Sequence, residues 1–135
     1  MAVQFSVAVR NARADSCETA IGATAVLRLR TGAPPATCAT ADSGTIVATM
    51  TLPSDWMSAA SAGAKALSGS WSDPAADNAG TVGHFRLYDS TGVTCGMQGT
   101  VTITAGGGDM TLDNNVVTLG QLVTIVTFGW TEPNA

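Results

Sequence analysis

Charge is scarce in this sequence: Asp, Glu, Lys and Arg make up 12% of its 135 residues, and the formal net charge is −4. That charged fraction is about half of what globular domains usually carry. Hydrophobic residues still make up 45%, the opposite of the balance that produces disorder. We therefore expect a single β-rich domain over residues 1–135, with part of its surface covered by neighbouring molecules.

Basic residues and long apolar runs are also lacking, which argues against two classes of partner. One Lys and five Arg are too few for the basic, aromatic-rimmed surface of a nucleic-acid-binding protein. No run approaches the roughly 20 apolar residues that cross a bilayer. The first residues lack the basic start of a signal peptide. We expect synthesis in a cytoplasm, with neither membrane nor nucleic acid as partner.

Cysteine and histidine are too few and too scattered for an evident metal site. Cys17, Cys38 and Cys95 cannot all pair within one chain, and in a cytoplasm we expect free, buried thiols. One disulfide plus one thiol stays open. The three cysteines and His84 form a zinc set on paper, but no Cys-x2-Cys pair is present. The sequence predicts no metal and no cofactor.

Acidic residues hint at calcium in one place, between the ends of two predicted strands. Asp109 and Asp113 lie in the stretch DMTLDNN, but this stretch lacks the Asp-x-Asp-x-Asn-Gly order and the terminal Glu of a calcium loop. Asp and Asn between strands usually form turns. We interpret these residues as turn formers, and an ion bound by Asp109 and Asp113 as the alternative.

No arrangement of residues in the sequence indicates catalysis. The single histidine, His84, lies within a predicted strand, and no Gly-x-Ser-x-Gly motif accompanies it. Paired carboxylates brought together from distant positions remain open in principle, yet three Trp, three Phe and one Tyr are few for an enzyme cleft. We predict that the chain is not an enzyme and has no small-molecule substrate.

Periodicity predicts a mainly β fold with one short N-terminal helix. Residues 9–21 fit a helix whose apolar side carries Val9 and Ile21, with Arg13, Asp15 and Glu18 pointing away, and Gly22 ends it. Alternation and turn signals predict strands at 25–31, 44–52, 65–71, 82–89, 93–104, 110–112, 116–119 and 122–130. Short strands with regular turns favour a single-domain antiparallel β-sandwich of jelly-roll-like arrangement.

Two segments fit more than one structure. Residues 53–65 fit either a helical turn capped by Ser54 or a loop held by a buried Trp56. Residues 1–8 fit a short strand or an N-terminal arm, which can add a strand to the sheet edge of a partner.

Several stretches together resemble a family of small proteins encoded among the structural genes of tailed bacteriophages. They are VRNARADSCETAIG (9–22), LRLRTGAPPATCATADSGTIVATMTLPSDWM (27–57), GHFRLYDSTGVTCGMQGTVT (83–102), DMTLDN (109–114) and GQLVTI (120–125), and they cover most of the chain. The resemblance implies a virion component and implies no catalytic residue.

On this resemblance we expect a capsid decoration (cement) protein, made in the host bacterial cytoplasm and located in the virion. Its partners would be the major capsid protein and copies of itself, as a homo-oligomer on the particle. Four arginines lie in the first 30 residues, and we predict that they contact the capsid or form salt bridges: Arg10, Arg13, Arg28 and Arg30. The alternative is a tail or head-fibre component that acts as a glycan-binding adhesion module, which needs exposed Trp or Tyr.

Overall fold

The computed structural model describes residues 2–134. Within that range the protein is mainly β with one helix, as the sequence predicts. The elements in chain order are α1 Val7–Ile21, β1 Val26–Thr31, β2 Ile46–Thr51, β3 Ala64–Ala66, β4 Ser72–Asp73, β5 Gly80–Tyr88, β6 Cys95–Ile103, β7 Met110–Leu112, β8 Val116–Val117 and β9 Val123–Thr131.

The strands form one sheet that curls into half a barrel. Their order is β2-β1-β5-β6-β7-β9-β3, while β4 pairs with β9 and β8 pairs with β5. β6 and β7 run parallel, so the sheet is mixed and the all-antiparallel arrangement that we predicted is wrong. After β6 the chain doubles back tightly, because Gly106 and Gly108 pack against Thr102 where a Cβ would approach to 2.7 and 2.9 Å. Only glycine allows a connection this close to its own strand.

The connection after β4 closes the curl between β9 and β2. β4 pairs with β9, and Asp73 Oδ2 accepts a hydrogen bond of 3.0 Å from the amide of Thr49 in β2. The amide of Asp77 donates to the carbonyl of Val47 at 2.8 Å. The outer edge of β2 is therefore satisfied by this segment, which protects it from pairing with another chain.

The core lies on the concave side of the sheet. Leu27 and Leu29 of β1 pair with Leu87 and Phe85 of β5, and all four side chains are buried. Aromatic rings extend this core across the curl, with centroid distances of 6.0 Å for Trp56–Trp71, 5.5 Å for Trp71–Phe128 and 5.3 Å for Phe85–Phe128. Few aromatics thus suffice, because they are concentrated in one continuous cluster.

Helix α1 packs mainly through a polar stripe. Of the apolar side that we predicted, Ile21 packs against the core, whereas Val9 is exposed. Side-chain oxygens of the helix accept hydrogen bonds from backbone amides of the hairpin 57–67: Asn11 from Gly63 (2.8 Å), Asp15 from Ala60 (3.1 Å) and Glu18 from Met57 (2.9 Å). These positions recur at helical spacing and lie on one face. The prediction that Asp15 and Glu18 point away is wrong, because the edge amides of the hairpin require acceptors.

The ends of α1 follow from local chemistry. It begins at Val7, two residues earlier than predicted, with Ser6 as N-cap, whose Oγ accepts a hydrogen bond of 3.3 Å from the amide of Val9. It ends before Gly22, as predicted, where φ is +95°. The predicted arm 1–8 is therefore shorter: residues 2–6 precede the helix, and residue 1 lies outside the described residues.

The structure tests two further predictions, for residues 53–65 and for the strand at 65–71. Residues 53–63 form a loop held by Trp56, whose indole Nε1 donates to Gly22 O at 3.0 Å, so the loop interpretation is confirmed. The single strand predicted at 65–71 is wrong: β3 ends at Ala66 and β4 starts at Ser72. Gly69, at φ +72°, breaks the extended chain between them.

Candidate functional site

Two of the four predicted contact arginines, Arg10 and Arg13 of α1, are engaged within the molecule. The Nε of Arg10 donates to Glu132 O at 2.9 Å, and the guanidinium of Arg13 lies 3.1 Å from Glu132 Oε2. Arg13 also lies 5.2 Å over the ring of Phe5. These arginines tie the C-terminal segment to α1, which supports the salt-bridged interpretation for Arg13. A role in capsid contact stays a prediction.

The other two arginines lie on the convex face of the sheet. Arg28 stacks 4.7 Å over the ring of Tyr88 and donates to Gly92 O at 3.0 Å. Arg30 is 6% exposed and forms an ion pair of 2.7 Å with Asp42. Arg30 is thus a buried internal group, and any contact that it makes with a partner would have to pass through the segment that covers it.

Arg86, which the sequence did not single out, is the centre of this convex face. It is 1% exposed, and its guanidinium donates to Thr40 O at 2.9 Å, to Cys38 O at 2.6 Å and to Cys95 Sγ at 3.3 Å. It also forms an ion pair of 2.7 Å with Asp42 Oδ1. Its position in the strand was the signal that could have identified it. Arg86 of β5 lies opposite Arg28 of β1, so two like charges are neighbours and require an acceptor that covers them.

The covering acceptor is the segment 32–45, which we call the pinned loop. It has no helix or strand, a length at which loops usually carry function. Arg86 and Arg30 hold its carbonyls and Asp42, and Gln98 Nε2 donates to Pro35 O at 2.6 Å. Buried guanidiniums thus fix a long, otherwise irregular segment whose outer side stays exposed.

Charges in the pinned loop support this geometry. Burial alone would raise the pKa of Asp42, but the hydrogen bond from Tyr88 and the charges of Arg30 and Arg86 lower it overall. The pKa of Tyr88 is raised, first by burial and then by its hydrogen bond to Asp42. Asp42 therefore stays ionised and Tyr88 stays a donor around neutral pH, which keeps the cations neutralised.

His84 has a structural position in the same region. It is fully buried, and its Nδ1 lies 2.9 Å from Gly32 O at the start of the pinned loop. Burial lowers its pKa, the contact with Gly32 partly opposes this, and Arg30 and Arg86 lower it further. A neutral ring that donates from Nδ1 accounts for these observations, and the position offers His84 no route to a substrate.

Two of the three cysteines come together: the thiol of Cys95 lies close enough to that of Cys38 to help raise the pKa of Cys38. Cys38 and Cys95 both contact the guanidinium of Arg86, through a carbonyl and a thiol respectively, whereas Cys17 lies on α1. All three are free and half-buried, less buried than we expected. Burial is the largest cause of a raised pKa for Cys38, so its thiol stays protonated and weakly nucleophilic.

A second buried cation, Lys65 of β3, faces α1. Its side chain is 3% exposed, and its Nζ lies 2.6 Å from Asp15 Oδ1 and 2.9 Å from Glu18 Oε2. It also donates to Ser58 O at 3.0 Å. Burial would lower the pKa of Lys65, but the two carboxylates raise it overall. This group of Lys65, Asp15 and Glu18, which we call the helix cluster, completes the attachment of α1, and the charge of Lys65 is more than balanced within it.

The acidic residues that suggested calcium act as turn residues. Asp109 Oδ2 accepts hydrogen bonds of 2.8 Å from both the amide and the hydroxyl of Thr100, while Asp113 Oδ1 accepts from the amide of Asn114 at 2.8 Å. Within residues 2–134, no three His, Cys, Asp or Glu side chains are grouped as a metal site would require.

Three exposed apolar side chains lie around one turn that backbone hydrogen bonds hold in place. Val116, Leu119 and Leu122 are 58%, 71% and 61% exposed, and we call them the apolar turn. The amide of Gly120 donates to Ala76 O at 2.9 Å, and the amide of Ala76 donates to the carbonyl of residue 121 at 2.8 Å. Leucines fixed at the surface in this way are a feature of interaction surfaces.

Sequence reasoning missed the apolar turn because it assigned its residues to strands. The strand predicted at 116–119 ends at Val117, and the strand predicted at 122–130 begins at Val123. The hydrophobic residues between them therefore lie outside the sheet. The available sequence signal was Gly120, because a glycine favours a turn that can include its neighbours Leu119 and Leu122. In the structure Gly120 has a φ of +79°.

Comparisons with known proteins add no relative. Neither the protein-family models nor the curated proteins nor the solved structures include a significant match to the chain. In the part of the chain that the structure describes, no helix has the length and apolarity needed to cross a membrane.

Proposed function

We propose that this protein is a structural component of a tailed-phage particle, a capsid decoration (cement) protein that binds the assembled head. The resemblance over most of the chain supports the phage assignment. The apolar turn is the observation that carries the binding role, because three large apolar side chains are held at the surface by backbone hydrogen bonds. Apolar groups fixed in this way lose little conformational entropy when a partner covers them.

In this proposal the pinned loop and the apolar turn do different things. The turn contacts the major capsid protein, and the pinned loop stiffens the convex face beside other copies of the protein. A decoration protein that binds the assembled shell and not its separate subunits stabilises the shell by mass action. Many weak contacts then act together on one particle. The jelly-roll-like sandwich expected from the sequence remains part of the proposal.

The glycan-binding alternative receives no support from the aromatic side chains. Trp56 and Trp71 are 0% and 1% exposed, and Tyr88 is 2% exposed. Trp130 is half-buried. Since sugar recognition uses exposed aromatic platforms, the described residues offer no obvious platform, and we retain the tail or head-fibre location only as an outcome of the test.

The test is co-sedimentation of purified protein with heads that lack it and, separately, with tails. We expect the wild-type protein to pellet with heads, and the double variant Leu119→Ser/Leu122→Ser to lose at least tenfold in affinity. The matched control is Val93→Ser, because Val93 is 78% exposed but lies in another turn. Binding to tails alone would move the protein to the runner-up location, and binding to neither would remove the virion assignment.

The arginine contacts can be tested in the same assay. Arg10→Ala/Arg13→Ala should weaken head binding if these side chains contact the capsid. Because both contact Glu132, the variant must first show an unchanged melting temperature. Unchanged binding at unchanged stability would assign these arginines to internal structure alone.

A further inference from the structure

The strand between β6 and β9, β7, is too short to pair with their full length. β7 pairs with residues 101–103 of β6 and with residues 125–128 of β9, and it is only three residues long. β6 and β9 each have nine residues. Residues 96–100 of β6 and 129–131 of β9 therefore extend past β7 with no strand between them, and we call this gap the slot.

Backbone groups of both walls face the slot. The amide of Thr100 donates to Asp109 on the β7 side, and donors alternate sides along an antiparallel strand, so Gln98 presents its amide and carbonyl to the same side. On β9, the carbonyl of Phe128 faces β3 through the amide of Leu67. The backbone amide and carbonyl of the next residue, Gly129, therefore face the slot. Two opposed edges with open hydrogen-bonding groups fit an added strand.

The slot is lined mainly by apolar side chains, and two polar side-chain atoms of its lining residues have no partner. A cavity of about 230 Å³ lies there, and its lining consists of Phe85, Met97, Phe128, Trp130, Cys17, Gln98, Gly129 and the two acidic residues Asp109 and Glu132. Among the buried side-chain atoms without a partner in residues 2–134 are Gln98 Oε1 and Trp130 Nε1. One is an acceptor and the other a donor, and a peptide backbone supplies the complement of both.

The chain itself has an N-terminal segment with the pattern of a strand. Insertion would exchange two contacts of this segment, the hydrogen bond of 3.0 Å from the amide of Phe5 to Asn134 Oδ1 and the contact of Arg13 with the Phe5 ring. Val3, Phe5, Val7 and Val9 alternate with small or polar residues, and they are 71%, 39%, 53% and 45% exposed. Alternation of this kind is typical of a strand and not of a helix start, and valine is a poor helix former. The segment 2–9 also has no charged residue, so the inserted segment itself brings no charge that would have to be desolvated.

We propose that the segment 2–9 of one copy inserts as a strand into the slot of a second copy. Its amides and carbonyls pair with those of Gln98 and Gly129, and alternate side chains pack on Phe85 and Phe128. The first turn of α1, which contains Val7 and Val9, unwinds in the donor. This inference rests on the assembly role proposed above, for which it supplies the contact between copies.

The indole signals of the three tryptophans provide the measurement. Trp56 Nε1 donates to Gly22 O and Trp71 Nε1 donates to Ser68 O, whereas Trp130 Nε1 has no partner among residues 2–134. The acceptor is the full chain with Phe5→Ser/Val7→Ser, which disables its own arm. A synthetic peptide of residues 2–9 is titrated into it, and the two-dimensional ¹⁵N–¹H spectrum is recorded, with Trp130→Phe used for assignment.

We expect the Trp130 signal to shift saturably with the peptide while the Trp56 and Trp71 signals stay in place. A peptide carrying the same two serines should cause no shift. In sedimentation, wild-type protein should gain mass with concentration, and the arm variant should stay monomeric. Unchanged Trp130 at millimolar peptide, or a wild-type protein that is monomeric at every concentration, would overturn the proposal.

Two other outcomes are informative. A wild-type Trp130 signal that differs from that of the arm variant at every concentration, without a gain in mass, would mean that the arm fills its own slot and would overturn exchange between copies. Failure of head binding, by contrast, removes the proposed virion role and leaves the peptide titration unaffected. The two proposals therefore fail separately.

Discussion

Buried cations attach two covering segments to the same sheet, one lysine under the helix and two arginines under the pinned loop, and the charge balance differs between the two attachments. Lys65 meets two carboxylates of α1, Asp15 and Glu18. Arg86 and Arg30 share a single carboxylate of the pinned loop, Asp42. The helix thus provides more anions than its cation requires, and the loop provides fewer.

The difference between the two attachments shows which kind of segment a lysine and an arginine can each fix. An ammonium is a compact point charge, which suits carboxylates placed by a regular helix. A guanidinium has five donors in a planar fork, and Arg86 uses them on the carbonyls of Cys38 and Thr40 as well as on Asp42. Arginine can therefore fix an irregular backbone that has few side-chain acceptors of its own.

The largest expected effect comes from removing Arg86, the centre of the group that it forms with Arg30, Asp42 and Tyr88, which we call the loop cluster. Arg86→Ala leaves carbonyls of the pinned loop without donors and opens a buried space, so we expect a loss of about 3–5 kcal/mol in the free energy of unfolding. Urea denaturation measures it. The control Arg86→Lys keeps the charge without the fork and should lose less. A loss below about 1 kcal/mol for the alanine variant would mean that the loop is not held by Arg86.

Removing the cation of the helix cluster should cost less. In Lys65→Met the carboxylates lose their partner, but Asp15 is 48% exposed and remains solvated. We expect a loss of about 1.5–3 kcal/mol, typical of hydrogen bonds to charged groups, measured by urea denaturation. The control is Lys65→Arg. A loss equal to that of Arg86→Ala would contradict the difference between the clusters.

Moderate acid should separate the two clusters. The pKa of His84 is lowered from its ordinary value of 6.5, first by burial. Just below pH 6.5 the unfolded chain therefore binds a proton at His84 that the folded chain does not bind. Stability is complete above pH 6.5 and falls as the pH drops below that value towards the folded pKa. The pKa values of Asp15 and Asp42 are lowered from 3.8, and their contributions are lost only in stronger acid.

The measurement is the urea midpoint between pH 7 and pH 5. Wild-type protein should lose stability over this range, and His84→Phe, which cannot be protonated, should show a flatter profile from a lower starting point. Lys65→Met should keep the wild-type slope, because its cluster does not titrate there. Equal slopes for wild-type protein and His84→Phe would show that another group controls the acid limb.

The smallest effect belongs to the outer rim of the loop cluster. Arg28→Ala removes a stacking contact of 4.7 Å with Tyr88, worth about 0.5–1 kcal/mol at a partly exposed site. Thermal unfolding with Arg28→Lys as control measures it. A loss as large as that of Arg86→Ala would place Arg28 in the centre of the cluster instead of at its rim.

The comparison also separates what sequence reasoning can and cannot reach at the candidate site. Alternation at 25–31 and 82–89 correctly placed Leu27, Leu29 and Leu87 on the inner face, since burial follows the two-residue period of a strand. The same alternation put Arg28, Arg30 and Arg86 on the other face, where we expected Arg28 and Arg30 to contact a partner or to form salt bridges and expected no covering loop. Nothing local in GAPPATCATADSG indicates that the carbonyl of Thr40 turns towards Arg86, which lies 46 residues further along the chain.

Strand content, the helix near the N-terminus and its end at Gly22 were determined by the sequence itself, because period, caps and glycine act over a few neighbouring residues. Tertiary structure alone decided three features. These are the parallel pairing of β6 and β7, the inward turn of Asp15 and Glu18, and the burial of Arg86 under the pinned loop. Each depends on whether a backbone or charged group finds a partner far along the chain, and desolvation makes that partner obligatory only after the chain has folded.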